Sequence, residues 1–254
     1  MRKITSLVRR AVEDYDMIAD GDQIAVGVSG GKDSLLLLNA LAMLSRYYPK
    51  KFTVVGITID MGYNCDYSEI KAMCDKIGVE YHVKYTDIKE IIFDVRKETN
   101  PCSLCAKMRR GALNDAAVEL GCNRVALGHH NDDVLETFML SLLYEGRINC
   151  FTPVTYLDRT NVYSIRPMLY VRERDVKGVV GRYDIPVVKN PCPADGVTQR
   201  QYMKELLSRI EKETKPGLKK RMFTAVQNSG IEGWKPETTS RYERRKDNKN
   251  NEEV

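Results

Sequence analysis

The chain has 254 residues, of which 43% are hydrophobic and 30% charged, and 40 Lys and Arg against 35 Asp and Glu give a formal net charge of +5. This balance is typical of a folded globular protein and excludes a disordered, tail-like chain. The apolar stretch 34–44 is far shorter than the ~20 residues of a bilayer span, and the N-terminus lacks the apolar core of an export signal, so we expect a cytoplasmic protein.

The first half of the chain alternates between helical and strand patterns. Apolar side chains at helical spacing predict helices at 4–19, 33–46, 67–77, 100–120 and 132–144. Short runs rich in β-branched residues predict buried strands at 23–28, 52–59, 80–85 and 124–127. This alternation predicts an α/β fold with a doubly wound, mainly parallel sheet that helices cover on both faces.

The second half of the chain is less regular. One more strand is predicted at 162–165, and helices are predicted at 172–183, 199–213 and 217–227. We therefore divide the chain into an N-terminal helix (1–20), an α/β domain (21–195), a small basic helical C-terminal extension (196–237) and a polar tail expected to be disordered (238–254).

A glycine-rich loop joins the first predicted strand to the second helix. Glycines let the backbone turn so that several amides face one anion, and the N-terminus of the following helix attracts negative charge. The spacing excludes a Walker A loop and the dinucleotide-binding pattern. It resembles the PP-loop of the ATP pyrophosphatase superfamily, whose fold is HUP-like; an ordinary strand–turn–helix connection is the alternative. The loop consists of Ser29, Gly30, Gly31, Lys32, Asp33 and Ser34.

Two more segments end predicted strands, at the sheet edge where open α/β folds bind ligands. Similarity to the superfamily implies that ATP contacts two sets of residues: Thr58, Ile59 and Asp60 beside adenine, and Gly128, His129, Asp132 and Asp133 in a Gly-His-(x)2-Asp-Asp motif. Asp133 is a candidate ligand for Mg²⁺ beside the triphosphate. The second segment also has a structural interpretation, in which Asn131 caps the next helix and the two Asp residues favour its first turn.

Seven Cys without an export signal fit a reducing compartment. Asn100 and Pro101 predict a helix start, so that Cys102 and Cys105 lie one turn apart near the positive helix end, a setting that favours thiolates. Such a pair fits half of a zinc site, a redox pair or part of an iron–sulfur site. Cys192, between two prolines, is the candidate third ligand. The remaining cysteines are interpreted as small apolar residues: Cys65, Cys74, Cys122 and Cys150.

These motifs, together with the Arg-Arg-Gly that follows the cysteine pair and Ile-Arg-Pro at 165–167, resemble the tRNA 2-thiocytidine synthetases over residues 20–201. The resemblance implies an ATP-dependent tRNA sulfurtransferase that adenylates the C2 oxygen of an anticodon-loop cytidine, replaces that oxygen with sulfur and releases AMP and pyrophosphate. Asp33 is assigned to the adenylation. Arg109 and Arg110 would face phosphate or developing negative charge. A 4Fe–4S cluster with one open iron is assigned to Cys102, Cys105 and Cys192.

The charge pattern and the resemblance to the tRNA 2-thiocytidine synthetases also imply binding partners. Residues 200–221 hold eight basic and three acidic side chains, which with Arg172 and Arg174 form a candidate tRNA surface. A solvated helix pair is the alternative for this stretch. A sulfur donor such as a cysteine desulfurase is implied, and a homodimer is expected because family members resemble dimers and the first helix offers an apolar face.

Three other functions remain open. The tRNA 2-thiouridine synthetases share the loop and the cysteine triad but usually carry terminal zinc modules with paired C-x-x-C or C-x-x-H motifs, and such pairs are absent from this sequence. The tRNA lysidine synthetases attach lysine to the same C2 position and need no cysteine triad. A non-enzymatic ATP-binding module with a structural zinc site at the C-x-x-C motif is the alternative from another class.

Overall fold

The computed structural model describes residues 1–96, 101–188, 192 and 199–235. Six strands form one sheet in the order β3-β2-β1-β4-β6-β5, in which every neighbouring pair is parallel except β5 and β6. The strands are β1 (Asp22–Gly27), β2 (Phe52–Asp60), β3 (Glu80–Tyr85), β4 (Arg124–Ala126), β5 (Val154–Leu157) and β6 (Val162–Ile165). The predicted mainly parallel sheet is confirmed.

Nine helices surround this sheet in the described part of the chain. They are α1 (Arg2–Asp14), α2 (Lys32–Leu44), α3 (Ser68–Ile77), α4 (Ile88–Glu90), α5 (Pro101–Glu119), α6 (Asn131–Tyr144), α7 (Glu173–Arg182), α8 (Gln199–Glu213) and α9 (Leu218–Gln227). A π-helical turn, Ile91–Val95, continues α4. None of the helices in these ranges is long and apolar enough to cross a membrane.

The sheet is buried on both faces because alternate side chains of a strand point in opposite directions. In β1, Ile24 and Val26 join the main apolar cluster with the leucines of α2, whereas Ala25 belongs to a second cluster with Leu113 of α5. Burying one leucine side chain contributes about 2 kcal/mol. Helices therefore cover both faces, as the doubly wound fold requires.

Two predictions about the N-terminal segment are wrong. The first helix ends at Asp14 rather than near residue 19, because Asp16 adopts a left-handed conformation (φ 41°) and the following Met17 and Ile18 are buried in an extended connection. The apolar face of α1 is also no candidate dimer surface, since Ile4 and Val8 are fully buried in the chain's own core.

The edge strand β5, the short helix α4 and the π-helical turn have no counterpart among the predicted elements. Four-residue β5 pairs antiparallel with β6 and lies at the sheet edge. Its short run carries no alternating apolar pattern that could distinguish it from a loop. The predicted domain boundaries stay predictions, and the tail 238–254 lies outside the described residues.

Candidate active site

The glycine-rich loop 29–34 forms a cradle at the carboxyl end of β1. The Ser34 hydroxyl donates to the Gly31 carbonyl (2.9 Å) and accepts from the Ser29 amide (3.1 Å), which fixes the turn. Gly30 has φ +78°, a conformation that favours glycine. Gly31 caps α2 without a side chain, so the first amides of α2 stay directed toward an anion.

Lys32 carries the positive charge of this cradle. Its Nζ lies 2.8 Å from Asp33 Oδ2 and 3.5 Å from Glu173 Oε1 on α7. Burial alone would lower the pKa of Lys32, but the two carboxylates outweigh it and raise the pKa. The side chain is therefore held as a cation at the loop.

Glu173 is a site neighbour that the sequence analysis missed. Its carboxylate also contacts Lys204 of α8 (2.7 Å) and Lys177 (3.4 Å). Burial would raise the pKa of Glu173, yet the surrounding lysines, above all Lys204, lower it to about 2. An acidic residue in the first turn of a helix is common, so the sequence carried no signal for this role.

Two predicted adenine neighbours have side chains engaged in the scaffold. The Thr58 hydroxyl donates to the Val28 carbonyl (2.8 Å) and accepts from Tyr81. The Asp60 carboxylate accepts from the amides of the next loop, and these bonds, with the Tyr67 hydroxyl, lower the pKa of Asp60 against the effect of burial. Only the backbone groups of Thr58 and Asp60 remain for a nucleotide, and their contact with adenine stays a prediction. The donating amides belong to Gly62, Tyr63, Asn64 and Cys65.

The second motif begins α6, but its cap is not the predicted Asn131. His130 occupies the N-cap position and exchanges two hydrogen bonds with Asp133, whose carboxylate accepts from the His130 amide at 2.8 Å. Asn131 is instead the first helical residue and donates to the Leu169 carbonyl. This capping box is favoured over a cap at Asn131 because it gives a hydrogen-bond acceptor to the backbone amides of both His130 and Asp133.

Asp132 faces away from the cradle. Its Oδ2 accepts from the Glu173 amide (2.8 Å), and its Oδ1 pairs with Lys219 of α9 (2.8 Å). Burial would raise the pKa of Asp132, and these two partners lower it. In this geometry Asp132 fastens α7 and α9 to the motif, while Asp133 lines the cleft.

Two adjoining cavities open above the loop. The first, about 370 Å³, lies between the ends of β1, β2 and β4 and is bordered by α5, and Asp33, Asp133, Gly128 and His129 line it. The second, about 320 Å³, extends toward the loop after β2 and is lined by Met61, Tyr63, Cys65 and Tyr67. Ser29, Ile59 and Arg109 line both cavities. The predicted phosphate cradle therefore borders two connected spaces.

Electrostatic interactions link the three candidate cysteines near the second cavity, although none of them lines it. Cys102 and Cys105 lie on the first turns of α5, and α5 starts at the predicted Pro101, whereas Asn100 lies outside the described residues. The thiols of Cys192 and Cys102 lie close enough to Cys105 to raise its pKa. Cys192 lies close enough to Tyr63 to raise the pKa of its hydroxyl, and Cys105 Sγ lies 3.4 Å from Met61 Sδ.

The thiolate character expected for Cys105 is not observed. Burial raises the pKa of Cys105 and outweighs the lowering effect of the nearby Arg109 charge. Desolvation of the negative sulfur exceeds the benefit of the helix end. Among the described residues, no three His, Cys, Asp or Glu side chains are close enough to share a single metal ion.

The other cysteines divide into two groups. Cys74, Cys122 and Cys150 are buried. Burial raises the pKa of Cys74 to about 11 and that of Cys150 to about 12, so both behave as small apolar side chains. Cys65 is half-exposed and lines the second cavity, so it does not behave as a buried apolar residue.

Part of the basic stretch 200–221 faces inward. Arg200 contacts Asp133 (3.4 Å) and Glu136 (3.5 Å), and Lys204 and Lys219 form the ion pairs described above. The remaining basic side chains of the stretch are exposed: Arg209, Lys212, Lys215, Lys220 and Arg221. Lys220 and Arg221 border an open groove of about 590 Å³ on α9.

Comparison with known proteins shows the family to which this chain belongs. Residues 2–210 match the PP-loop domain family. The tRNA-cytidine(32) 2-sulfurtransferase of Geobacter sulfurreducens is 41% identical over 231 residues, covering 89% of this chain and 90% of the relative. The protein of the same name from Aliivibrio fischeri is 37% identical over 232 residues, covering 89% of this chain and 75% of the relative.

A solved structure shares the fold. The U34-tRNA thiolase NcsA from Methanococcus maripaludis, described with its [4Fe-4S] cluster, superposes with a TM-score of 0.73 at 24% sequence identity and covers 91% of this chain and 80% of its own. The predicted fold class and the resemblance seen in the sequence are both confirmed. The chain belongs to the PP-loop family and, within it, to the tRNA-cytidine(32) 2-sulfurtransferases.

Proposed function

We propose that this protein is an ATP-dependent tRNA sulfurtransferase that converts an anticodon-loop cytidine to 2-thiocytidine. One observation carries the proposal: Arg109 lines both the cavity beside the glycine-rich loop and the adjoining cavity lined by Met61, whose sulfur lies 3.4 Å from Cys105 Sγ. A base activated at the first cavity would therefore lie next to the thiols. The names of the relatives at about 40% identity support the same reaction.

The loop would bind ATP through its phosphates. In the first step, the C2 oxygen of cytidine attacks the α-phosphorus and pyrophosphate leaves. The amides at the start of α2 and the Lys32 ammonium would stabilise the charge that develops on the leaving group. Gly128 allows the loop after β4 to pack against the backbone of Asp33 and Ser34, which keeps this cradle rigid.

Magnesium fits the carboxylates of the same cavity. Asp33 Oδ1 is buried without a hydrogen-bond partner and lies 3.6 Å from His130 Nε2. Asp133 lines the same cavity. Oxygen ligands of this type suit Mg²⁺, which commonly binds one or two carboxylates together with phosphates. Asp33 and Asp133 would hold the ion next to the triphosphate.

The donor set beside the second cavity fits an iron–sulfur cluster. Cys102, Cys105 and Cys192 are thiols, the ligand that iron–sulfur clusters use, and each would bind a different iron, so they need not converge on one point. When bound, the cluster would supply the sulfur that replaces the adenylated oxygen. Arg109, between the two cavities, would hold the leaving AMP phosphate.

The substrate would reach this cleft along the exposed basic side chains of α8 and α9. An anticodon-loop base can be turned out of its stack without opening a duplex, which lets C2 approach the α-phosphate. The inward-facing Arg200, Lys204 and Lys219 would hold these helices in place instead of binding RNA.

Anaerobic incubation of the protein with unmodified tRNA, ATP, Mg²⁺ and a sulfide source tests this proposal. Nucleosides from the digested tRNA are measured by mass spectrometry. We expect 2-thiocytidine from the wild type and from Cys74→Ala, and at least a 100-fold loss in Cys102→Ala, Cys105→Ala and Cys192→Ala. Formation of 2-thiouridine or lysidine would contradict the proposal, as would equal losses in all four variants. Binding of ATP without any modified nucleoside would leave only a nucleotide-binding protein.

A further inference from the structure

Arg166, directly after β6, is a half-buried cation whose partners leave one buried donor atom unsatisfied. Its Nη1 donates to the Thr152 carbonyl (2.6 Å) and to the Thr155 hydroxyl (3.3 Å), and its guanidinium lies over the Phe151 ring at 5.0 Å. Its Nε is buried and has no hydrogen-bond partner among the described residues. Burial and the charge of Arg110 lower the pKa of Arg166 to about 10. A buried charge of this kind is costly without an anion.

His129 and Arg110 complete a positive recess around it. The centroid of the His129 ring lies 4.9 Å from that of Phe151, the ring that Arg166 also contacts. The Nδ1 atom of His129 is buried and also has no hydrogen-bond partner among the described residues. Burial, followed by the charges of Arg166, Arg200 and Arg110, lowers the pKa of His129 to about 3. Within the described residues neither Arg110 nor Arg166 forms an ion pair with a carboxylate, in contrast to Arg200.

We propose that Arg110, Arg166 and His129 form a binding site for a backbone phosphate of the RNA, next to the nucleotide whose base is modified. This inference rests on the proposed function. Two guanidinium groups suit a phosphate, since Arg binds its oxygens in a fork, and the neutral His129 imidazole can add one hydrogen bond. One phosphate would place an anion beside both Arg110 and Arg166.

The position favours RNA over ATP as the source of this phosphate. The glycine-rich loop and Lys32 already offer ATP phosphates a cradle at β1. Arg166 stands two strands away, at β6, because β4 separates β6 from β1 in the sheet. Arg110 is exposed at the rim of the first cavity, where a ligand from solvent can reach it. A phosphate held here would place its own base toward the cleft.

The test uses an anticodon stem-loop RNA and the same RNA with a neutral methylphosphonate at either linkage of the target cytidine. We expect the wild type to bind one neutral-linkage RNA about tenfold more weakly, the effect of losing one charge-assisted contact. Arg110→Gln and Arg166→Lys should bind the unmodified RNA about tenfold more weakly and show no further loss with the neutral linkage. Arg159→Gln, at the exposed turn between β5 and β6, is the matched control and should behave as the wild type.

Four results would overturn the inference. The first is an equal loss of RNA affinity in the wild type and in Arg110→Gln when the linkage is neutral. Arg110→Gln is an exposed substitution, so it still tests the inference if Arg166→Lys does not fold. The second is weakened ATP binding with normal RNA binding, which would assign the recess to the nucleotide. The third is a wild type that binds no RNA, which would remove the proposed function as well. Thiolation of every RNA at an unchanged rate would remove the inference alone.

Discussion

Gly128 stands where two backbones meet at the centre of the site. A Cβ built on it would lie 3.1 Å from the Asp33 carbonyl carbon and 3.1 Å from the Ser34 amide nitrogen. Neither contact can be relieved by a side-chain rotation, so the start of α2 would have to move. The glycine of the motif is explained by this close approach and needs no contact with ATP.

Gly128→Ala is therefore expected to weaken ATP binding about tenfold or more and to lower the free energy of unfolding by about 1–3 kcal/mol. Calorimetric titration with a non-hydrolysable ATP and thermal unfolding measure the two effects. Gly178→Ala is the control, because a Cβ there meets no atom within 4 Å in the middle of α7 and should be neutral or stabilising. Normal ATP affinity in Gly128→Ala would show that the loop tolerates the shift.

At the level of elements, α8 contacts α6 through the partly exposed Arg200 and the buried Glu136. The Glu136 side chain is almost fully buried beside Arg200 and Asp133. Burial, followed by the charge of Asp133, raises the pKa of Glu136 to about 7. The folded protein therefore binds a proton at Glu136 more tightly than the unfolded chain, in which the pKa is about 4.3. This contribution to stability is complete below the unfolded value and is lost as the pH rises through about 7.

Glu136→Gln removes this titration and keeps an acceptor for Arg200. We expect the free energy of unfolding of the variant, relative to the wild type, to increase by about 1–3 kcal/mol between pH 4.5 and pH 8. Urea unfolding at several pH values measures the difference. The exposed Glu205→Gln on α8 should show a pH-independent difference, and the same flat result for Glu136→Gln would contradict the account.

Elements were predictable where the periodicity was strong. β3, β6 and α8 have the predicted bounds, and most other elements differ by one or two residues at an end. The exceptions depend on long-range contacts: β5 exists only through its pairing with β6, and α1 stops where Met17 and Ile18 enter the core. Local sequence patterns contain neither contact.

For the whole molecule, the sequence motifs identified residue types but not their directions. The glycine-rich loop and Asp133 line the expected cleft, whereas Asp132 turns to Lys219 and Asp60 to its own loop, because these carboxylates complete hydrogen bonds of distant segments. The roles of Glu173 and of Arg166, which forms no ion pair among the described residues, can be recognised only from their positions in the folded structure. Pairwise charge and burial are properties of the assembled fold, which no spacing rule encodes.

In the assembled fold, we propose, Cys192 joins the cysteine pair of α5 at the nucleotide cleft. The measurement that tests it most directly is the iron and sulfide content of anaerobically purified protein, for the wild type, Cys192→Ala and the buried-cysteine control Cys122→Ala. The account predicts about four irons per chain in the wild type and the control, and loss of the cluster in Cys192→Ala. Zinc in place of iron, or iron retained in Cys192→Ala, would contradict it.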